Sequence, residues 1–335
     1  MQTRIKPTRL FTDERLQHYR QQGDSPADAV ITAVVEATGS TGLRALMLWL
    51  ADPNDASTVD QHPAVRDFFA QYNQLPNWAD PVKMKRGMAF FNKHASQIGL
   101  TLGLFSLPFS YLGANGAQLL WLTERIKNDT ARRLQETGEW VFAVNNPKEW
   151  INDAAIRKTL KIRLIHAGAR WFALHSGRWD EAWGYPVNQE DMAGTNLTFS
   201  YVVLLGLRKL GVKPSEQDEE AYLHHINVIN YLNGVVEELL PQNMREAYTL
   251  SQAIARRQFA SSEAGVGLTR SLLDAIAQQL GKGGLETARN LAAGEMRFFL
   301  GDRYADWLGI PNAPVEKRLA GLLGRLPVFP LTGSL

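Results

Sequence analysis

Apolar residues recur along most of the chain at three- and four-residue intervals, which is the spacing of one helix face. Val30–Glu36 and Gly42–Leu50 read as helices joined across Ala37–Thr41. Pro63–Tyr72 and Pro81–Gln97 follow, the second with Asp80 placed to cap its start. A long helix is expected from about Ala117 to Val144, ended by Asn145-Asn146-Pro147. Asn152–Leu174 is nearly apolar all round. Asp191–Leu210, Asp218–Leu239, Met244–Gln258, Gly267–Leu280, Glu286–Leu300 and Val315–Leu323 complete the set. No run alternates with strand character, and no repeat or linker composition interrupts the chain. The pattern predicts a single all-α domain over residues 1–335, with 1–40 as an N-terminal appendage and 325–335 as a tail.

Ile98–Leu122 is apolar and long enough to cross a bilayer. Pro108, Asn115 and its glycines break it, so it reads as a buried, interrupted helix pair and no transmembrane span is expected. The polar first 26 residues carry no apolar signal core, from which a cytoplasmic protein is expected.

Composition narrows the chemistry. The chain has 335 residues, 45% hydrophobic and 21% charged, which suits a sizeable core. A net charge of +2 with no basic stripe argues against nucleic acid as a partner. With no cysteine, disulfides, thiolate nucleophiles and thiolate metal ligands are all excluded.

The segment Lys158–Trp179 holds Arg163, His166 and Arg170 in an otherwise apolar helix. At about 100° per residue the three share one face, with the imidazole between two guanidiniums. Ala169 and Ala173 lie on that face, and Gly168 keeps it thin. Buried cations need anions. A haem supplies two propionates for the arginines and an iron for the imidazole. The alternative is a satisfied core histidine, with the arginines paired to acids such as Glu190 and Asp191.

Two more stretches bear on this choice. In Arg133–Trp140, Arg133 and Thr137 are four apart, with Glu136 beside them. In Trp183–Gly211, the polar run Asn188–Asp191 opens an apolar helix. His224–His225 point about 100° apart and read as structural. Thr38–Gly42 and Gly281–Gly284 lack a full phosphate-loop pattern and read as turns.

Taken in this order, the three stretches resemble the latex-clearing-protein family of haem oxygenases, to which the MpaB-type oxygenase of mycophenolic acid biosynthesis is related. The likeness runs from about Trp78 to Pro241 and is most specific at Lys161–Arg170 and Pro186–Thr195. It implies a globin-like helical core with additional surrounding helices, and His166 as the iron ligand of a b-type haem. It also implies Arg163 and Arg170 as cofactor-binding cations, and Arg133, Glu136 and Thr137 as the catalytic group on the oxygen-binding side. Glu136 stands where rubber-cleaving members carry a lysine. Their catalytic carboxylate has no counterpart near Ala117 and Gln118.

The function implied is oxidation by O2 of an apolar, unsaturated or isoprenoid substrate, with Ile98–Leu122 walling its channel. Carbon–carbon cleavage and hydroxylation both stay open, and the electron donor is unnamed. A non-catalytic haem sensor or carrier, and a haem-free helical interaction protein, are the competing expectations.

Overall fold

The computed structural model describes residues 8–52, 55, 57–123, 130–280 and 284–314. It is all-α. Among the described residues the only ladder-like pairing is an isolated antiparallel bridge between Gly113 and Phe259.

Two long helices organise one side. Helix α1 (Asp13–Arg20) leads into α2 (Ser25–Ala51), which lies along α9 (Ala154–His175). The two helices expected across Ala37–Thr41 are thus joined into α2, with a kink at Gly39. There φ is 66° and ψ is −165°, a conformation essentially confined to glycine. Gly168 of α9 faces α2. A Cβ there would lie 2.5 Å from Met47 Sδ, so this glycine is thin to admit a neighbouring helix rather than a flat ligand. Lys161 closes the far end of α2, donating to the carbonyls of Trp49, Asp52 and Asp55.

Helix α3 (Pro63–Tyr72) has the expected bounds, and α4 (Pro81–Lys93) starts on Asp80, whose carboxylate accepts from the amides of Val82 and Lys83. The apolar segment that follows is divided into α5 (Ala95–Thr101), a π-helical turn (Leu102–Ser106), α6 (Leu107–Tyr111) and α7 (Ala114–Leu122). No described helix is long and apolar enough to cross a membrane. The long helix expected from Ala117 to Val144 is represented by α7 and α8 (Thr130–Val144); residues 124–129 lie outside the described residues.

The segment expected as one helix from Asp191 to Leu210 is two, α10 (Gln189–Phe199) and α11 (Tyr201–Lys209). Ser200 breaks them with φ −114° and ψ −82°. Helix α12 (Glu216–Leu232) packs along α4 and ends earlier than its apolar pattern, because Glu237–Leu239 turn into a 3-10 segment. Helices α13 (Met244–Gln258), α14 (Glu263–Leu280), α15 (Leu285–Leu300) and α16 (Asp302–Trp307) complete the described chain. The expected Val315–Leu323 helix and the 325–335 tail lie outside the described residues.

The described part of residues 1–40 is no appendage. Leu16, Arg20, Asp24, Ile31 and Val34 are buried, and Arg9 pairs with Glu246 at the start of α13. The apolar stripe of α2 needs a partner, and α9 provides it. Buried apolar residues form three clusters. One gathers α5–α7 and α13–α16, another α2, α3 and α9, and the third α4, α8, α11 and α12.

Candidate functional site

Helix α9 carries Arg163, His166 and Arg170 on consecutive turns, and the start of α2 faces it with two acids. Arg163 donates to Asp24 through Nε at 2.6 Å and Nη2 at 2.8 Å, and its guanidinium lies over the rings of Tyr72 and Phe68. Asp24 stands at the N-cap of α2 but makes no side-chain cap bond, because both its oxygens serve Arg163. Asp28 takes over, accepting from the Asp24 amide through Oδ2 and from Arg170 Nε through Oδ1. Burial raises the Asp28 carboxyl above its ordinary range, with Arg170 opposing it.

This corrects two sequence expectations. Arg163 spends its Nε–Nη2 edge on a protein carboxylate and does not stand free for a propionate. The acids that pair the arginines are Asp24 and Asp28, not Glu190 and Asp191. Arg170 differs from Arg163 in keeping one N–H uncommitted. Its Nη1 donates to the Val187 carbonyl, and its Nη2 is sealed from solvent without a partner.

His166 sits between them. Its Nδ1 is buried and has no hydrogen-bond partner. The residue as a whole is half-buried. Burial, then Arg170, pushes its pKa from 6.5 down to about 4, against a smaller opposing pull from Asp24. The imidazole is therefore neutral at physiological pH, which is the form a metal takes. The residues fit a haem iron in this respect: one neutral imidazole without a protein partner, beside one guanidinium N–H without an anion. Among the described residues no group of three or more His, Asp or Glu is arranged to hold a bare metal ion.

Arg133 of α8 approaches from another side. Its side chain is exposed, and its charge adds the smallest of the contributions that disfavour protonation of His166. Thr137, one turn along α8, is half-buried. Glu136 is not part of this group. Its carboxylate accepts from Arg132 Nε at 2.9 Å on the exposed side of α8. The helical period explains it: Arg132 and Glu136 share a stripe turned about 100° from Arg133.

Asn188–Asp191 form a brace. Asn188 caps α10 by accepting from the Asp191 amide. Gln189 spans the Gly23 and Gly234 carbonyls and the Val236 amide. Glu190, fully buried, accepts from Arg20, Arg257 and Gln258, while Asp191 accepts from Arg20 at 3.0 Å. The brace thereby ties α1 and α13 to α10 and fixes the residues before α2. His224 accepts from the Asp80 amide, and His225 meets the Val144 carbonyl at 3.1 Å, so both serve structure.

Sequence reasoning missed Asp24, Asp28 and Arg20. The first two carried a signal: acids four apart around a Ser-Pro helix start, facing arginines two turns apart.

The sequence pattern of a family described as ER-bound oxygenase mpaB/B'/Rubber oxygenase, catalytic domain, matches residues 100–327. Rubber oxygenase of Streptomyces sp. (strain K30) is 26% identical over 302 residues, which span 88% of this chain and 72% of that protein. A solved structure of latex clearing protein LCP in the closed state superposes with a TM-score of 0.73 at 24% identity, covering 92% of this chain and 83% of that one.

Proposed function

Because the chain belongs to the mpaB/rubber oxygenase catalytic-domain family, we propose that it is a haem b-dependent oxygenase that uses O2 on an apolar, unsaturated or isoprenoid substrate. The observation that carries this reading is the neutral, unpartnered His166 imidazole beside the uncommitted Nη2 of Arg170. Haem b, when bound, supplies the oxygen-activating chemistry that side chains lack. The protein's own groups set access, orientation and charge around it.

His166 would hold the iron through its neutral ring. Arg170 would give Nη2 to an acidic arm of the macrocycle, while its Nε stays on Asp28. Arg163 acts as a positioning residue, holding α9 against the start of α2 through Asp24. Arg133 and Thr137 present a cation and a hydroxyl from α8. Glu136, paired with Arg132, takes no catalytic part in this reading. The half-buried apolar side chains of α7, Leu119, Leu120 and Leu122, would line the approach of an apolar substrate and keep water out.

The Asp24–Arg163 and Asp28–Arg170 pairs favour a second reading, a haem-free helical protein whose arginines only bind acids. That reading leaves His166 Nδ1 and Arg170 Nη2 without a purpose, at about 1–3 kcal/mol for each buried unsatisfied group. The oxygenase reading is tested by supplying labelled O2 with isoprenoid, carotenoid and unsaturated fatty-acyl substrates and weighing the products. Label in the products supports it: two labelled oxygens in two carbonyl fragments mean cleavage, and one means hydroxylation. Haem-loaded protein that consumes no oxygen across the panel is a carrier or sensor.

A further inference from the structure

We infer that the apolar cavity between α8 and α12 is a holding site for dioxygen beside the His166 centre. That it feeds this centre rests on the haem reading above; that it takes one small apolar guest does not.

The cavity lies in the third apolar cluster, next to Leu102 at the opening of the π-helical turn. Val141 and Val144 of α8 and Ile226 and Ile229 of α12 form its buried floor. It leaves about 10 Å³ for the centre of a water-sized molecule, room for one small guest and too little for an isoprenoid chain. Close-packed interiors keep few voids larger than a water molecule.

The chemistry of the walls selects the guest. The polar side chains that line the cavity give their N–H and O–H groups to the protein. Asn145 Nδ2 donates to the Val141 carbonyl at 2.8 Å, Asn230 Nδ2 to the Ile226 carbonyl at 2.9 Å, and the Tyr222 hydroxyl to the Phe199 carbonyl at 2.9 Å. Trp140 Nε1 donates to Thr159 Oγ1 of α9 at 3.3 Å. The lining side-chain atom left buried without a partner is an acceptor, Asn145 Oδ1. It offers an entering water one hydrogen bond, where a buried water typically makes about three. Dioxygen is small and apolar, and forfeits no hydrogen bonds by entering.

The place of the cavity follows from two helix stripes. On α8, Trp140, Val141 and Val144 stand three, four and seven residues after Thr137, on one continuous face. On α9, Thr159 and His166 are seven apart, two turns along one face and about 10 Å of rise. The Trp140–Thr159 bond ties these two faces together. Trp140 and Phe199, both half-buried, cross edge to face with ring centroids 5.8 Å apart and form the rim. A guest that passes this rim enters the α8–α9 interface, on the faces that carry Thr137 and His166.

Xenon, a small apolar atom, is the probe. Diffraction from xenon-pressurised crystals of the wild type is expected to show one atom between Val141 and Ile226, and Val141→Phe, whose ring fills the space, to lose it. In haem-loaded, reduced protein, xenon saturation of the wild type and Val141→Phe without xenon are each expected to slow O2 association several-fold with the Soret band unchanged. A cavity without xenon, or one holding an ordered water that xenon does not displace, overturns the inference. Xenon in the cavity with O2 association unchanged by either treatment overturns its role as a holding site for dioxygen. Wild type that takes up no haem overturns the haem reading and the feeding role with it, while xenon still decides whether the cavity takes an apolar guest. If Val141→Phe fails to fold, Val141→Ile, one methylene larger, takes its place: weaker xenon binding supports the inference and undiminished binding contradicts it.

Discussion

Asp24 sits where a helix cap belongs and spends itself on Arg163 instead, and that exchange fixes the geometry around His166. The pair is nearly buried, with side-chain exposures of 9% for Arg163 and 3% for Asp24. Removing one partner of such a pair leaves the other charged and dry. Asp24→Asn is expected to cost about 3–5 kcal/mol in denaturant unfolding, while Asp24→Asn combined with Arg163→Met recovers part of the loss. A neutral result for the single variant would mean the pair is solvated. His225 gives a pH test clear of the proposed iron ligand. Burial, then the charge of His224, holds its pKa at about 3 against an ordinary 6.5, with the bond to Val144 opposing. A depressed pKa adds stability that is complete above 6.5 and is lost as pH falls from there toward 3. His225→Gln keeps a donor for the Val144 carbonyl and cannot titrate. The wild type should therefore lose more stability than the variant between pH 7 and 4, by up to a few kcal/mol. Parallel pH profiles would contradict it. At this scale the sequence showed the arginines and the imidazole, because their spacing on one helix is local. It hid their partners, because Asp24 and Asp28 lie about 140 residues away along the chain.

Between elements, α9 depends on one close approach. Gly168 admits Met47, and a Cβ would meet its sulfur at 2.5 Å. Gly168→Ala is expected to displace the flexible end of Met47 at a net cost under about 1 kcal/mol, because alanine's helix preference offsets the crowding. Met47→Ala should relieve part of that cost in the double variant, a coupling that additive losses would disprove. Helix existence was legible throughout, since the apolar stripes of α3, α4, α13 and α15 follow the helical period with bounds close to those observed. Breaks inside apolar runs were not. Ser200 splits α10 from α11, yet serine in a helix is unremarkable in sequence; here its hydroxyl donates to the Asn196 carbonyl one turn back, a bond that bends helices. Gly39 was read as part of a turn, whereas α2 continues through it as a kinked helix. Glu136 was misassigned although the period was available: a residue one stripe away from Arg133 and four from Arg132 pairs with the latter.

At the scale of the whole molecule, the N-terminal segment is built into the body. Arg20 reaches Glu190 and Asp191, Arg9 reaches Glu246, and Gln189 holds the Gly23 carbonyl. A polar, charged opening stretch gave no sign of this in sequence, because its contacts are ion pairs to residues some 170 to 240 positions away. Deletion of residues 1–20 is therefore expected to lower Tm by roughly 5 °C or more, since Glu190 loses a buried cation. An unchanged Tm would restore the view of this segment as an appendage. The all-α class and the family were readable from sequence, the first through periodicity and the second through the motifs on α8, α9 and α10.

The account turns on His166 as the ligand of a haem iron, and absorption spectroscopy of the purified protein with and without added haem tests it most directly. Wild type should show a strong Soret band at one haem per chain, and His166→Ala should keep its helical circular dichroism while losing that band. A folded wild type that takes up no haem, or a His166→Ala protein with an undiminished, unshifted Soret band, would contradict it.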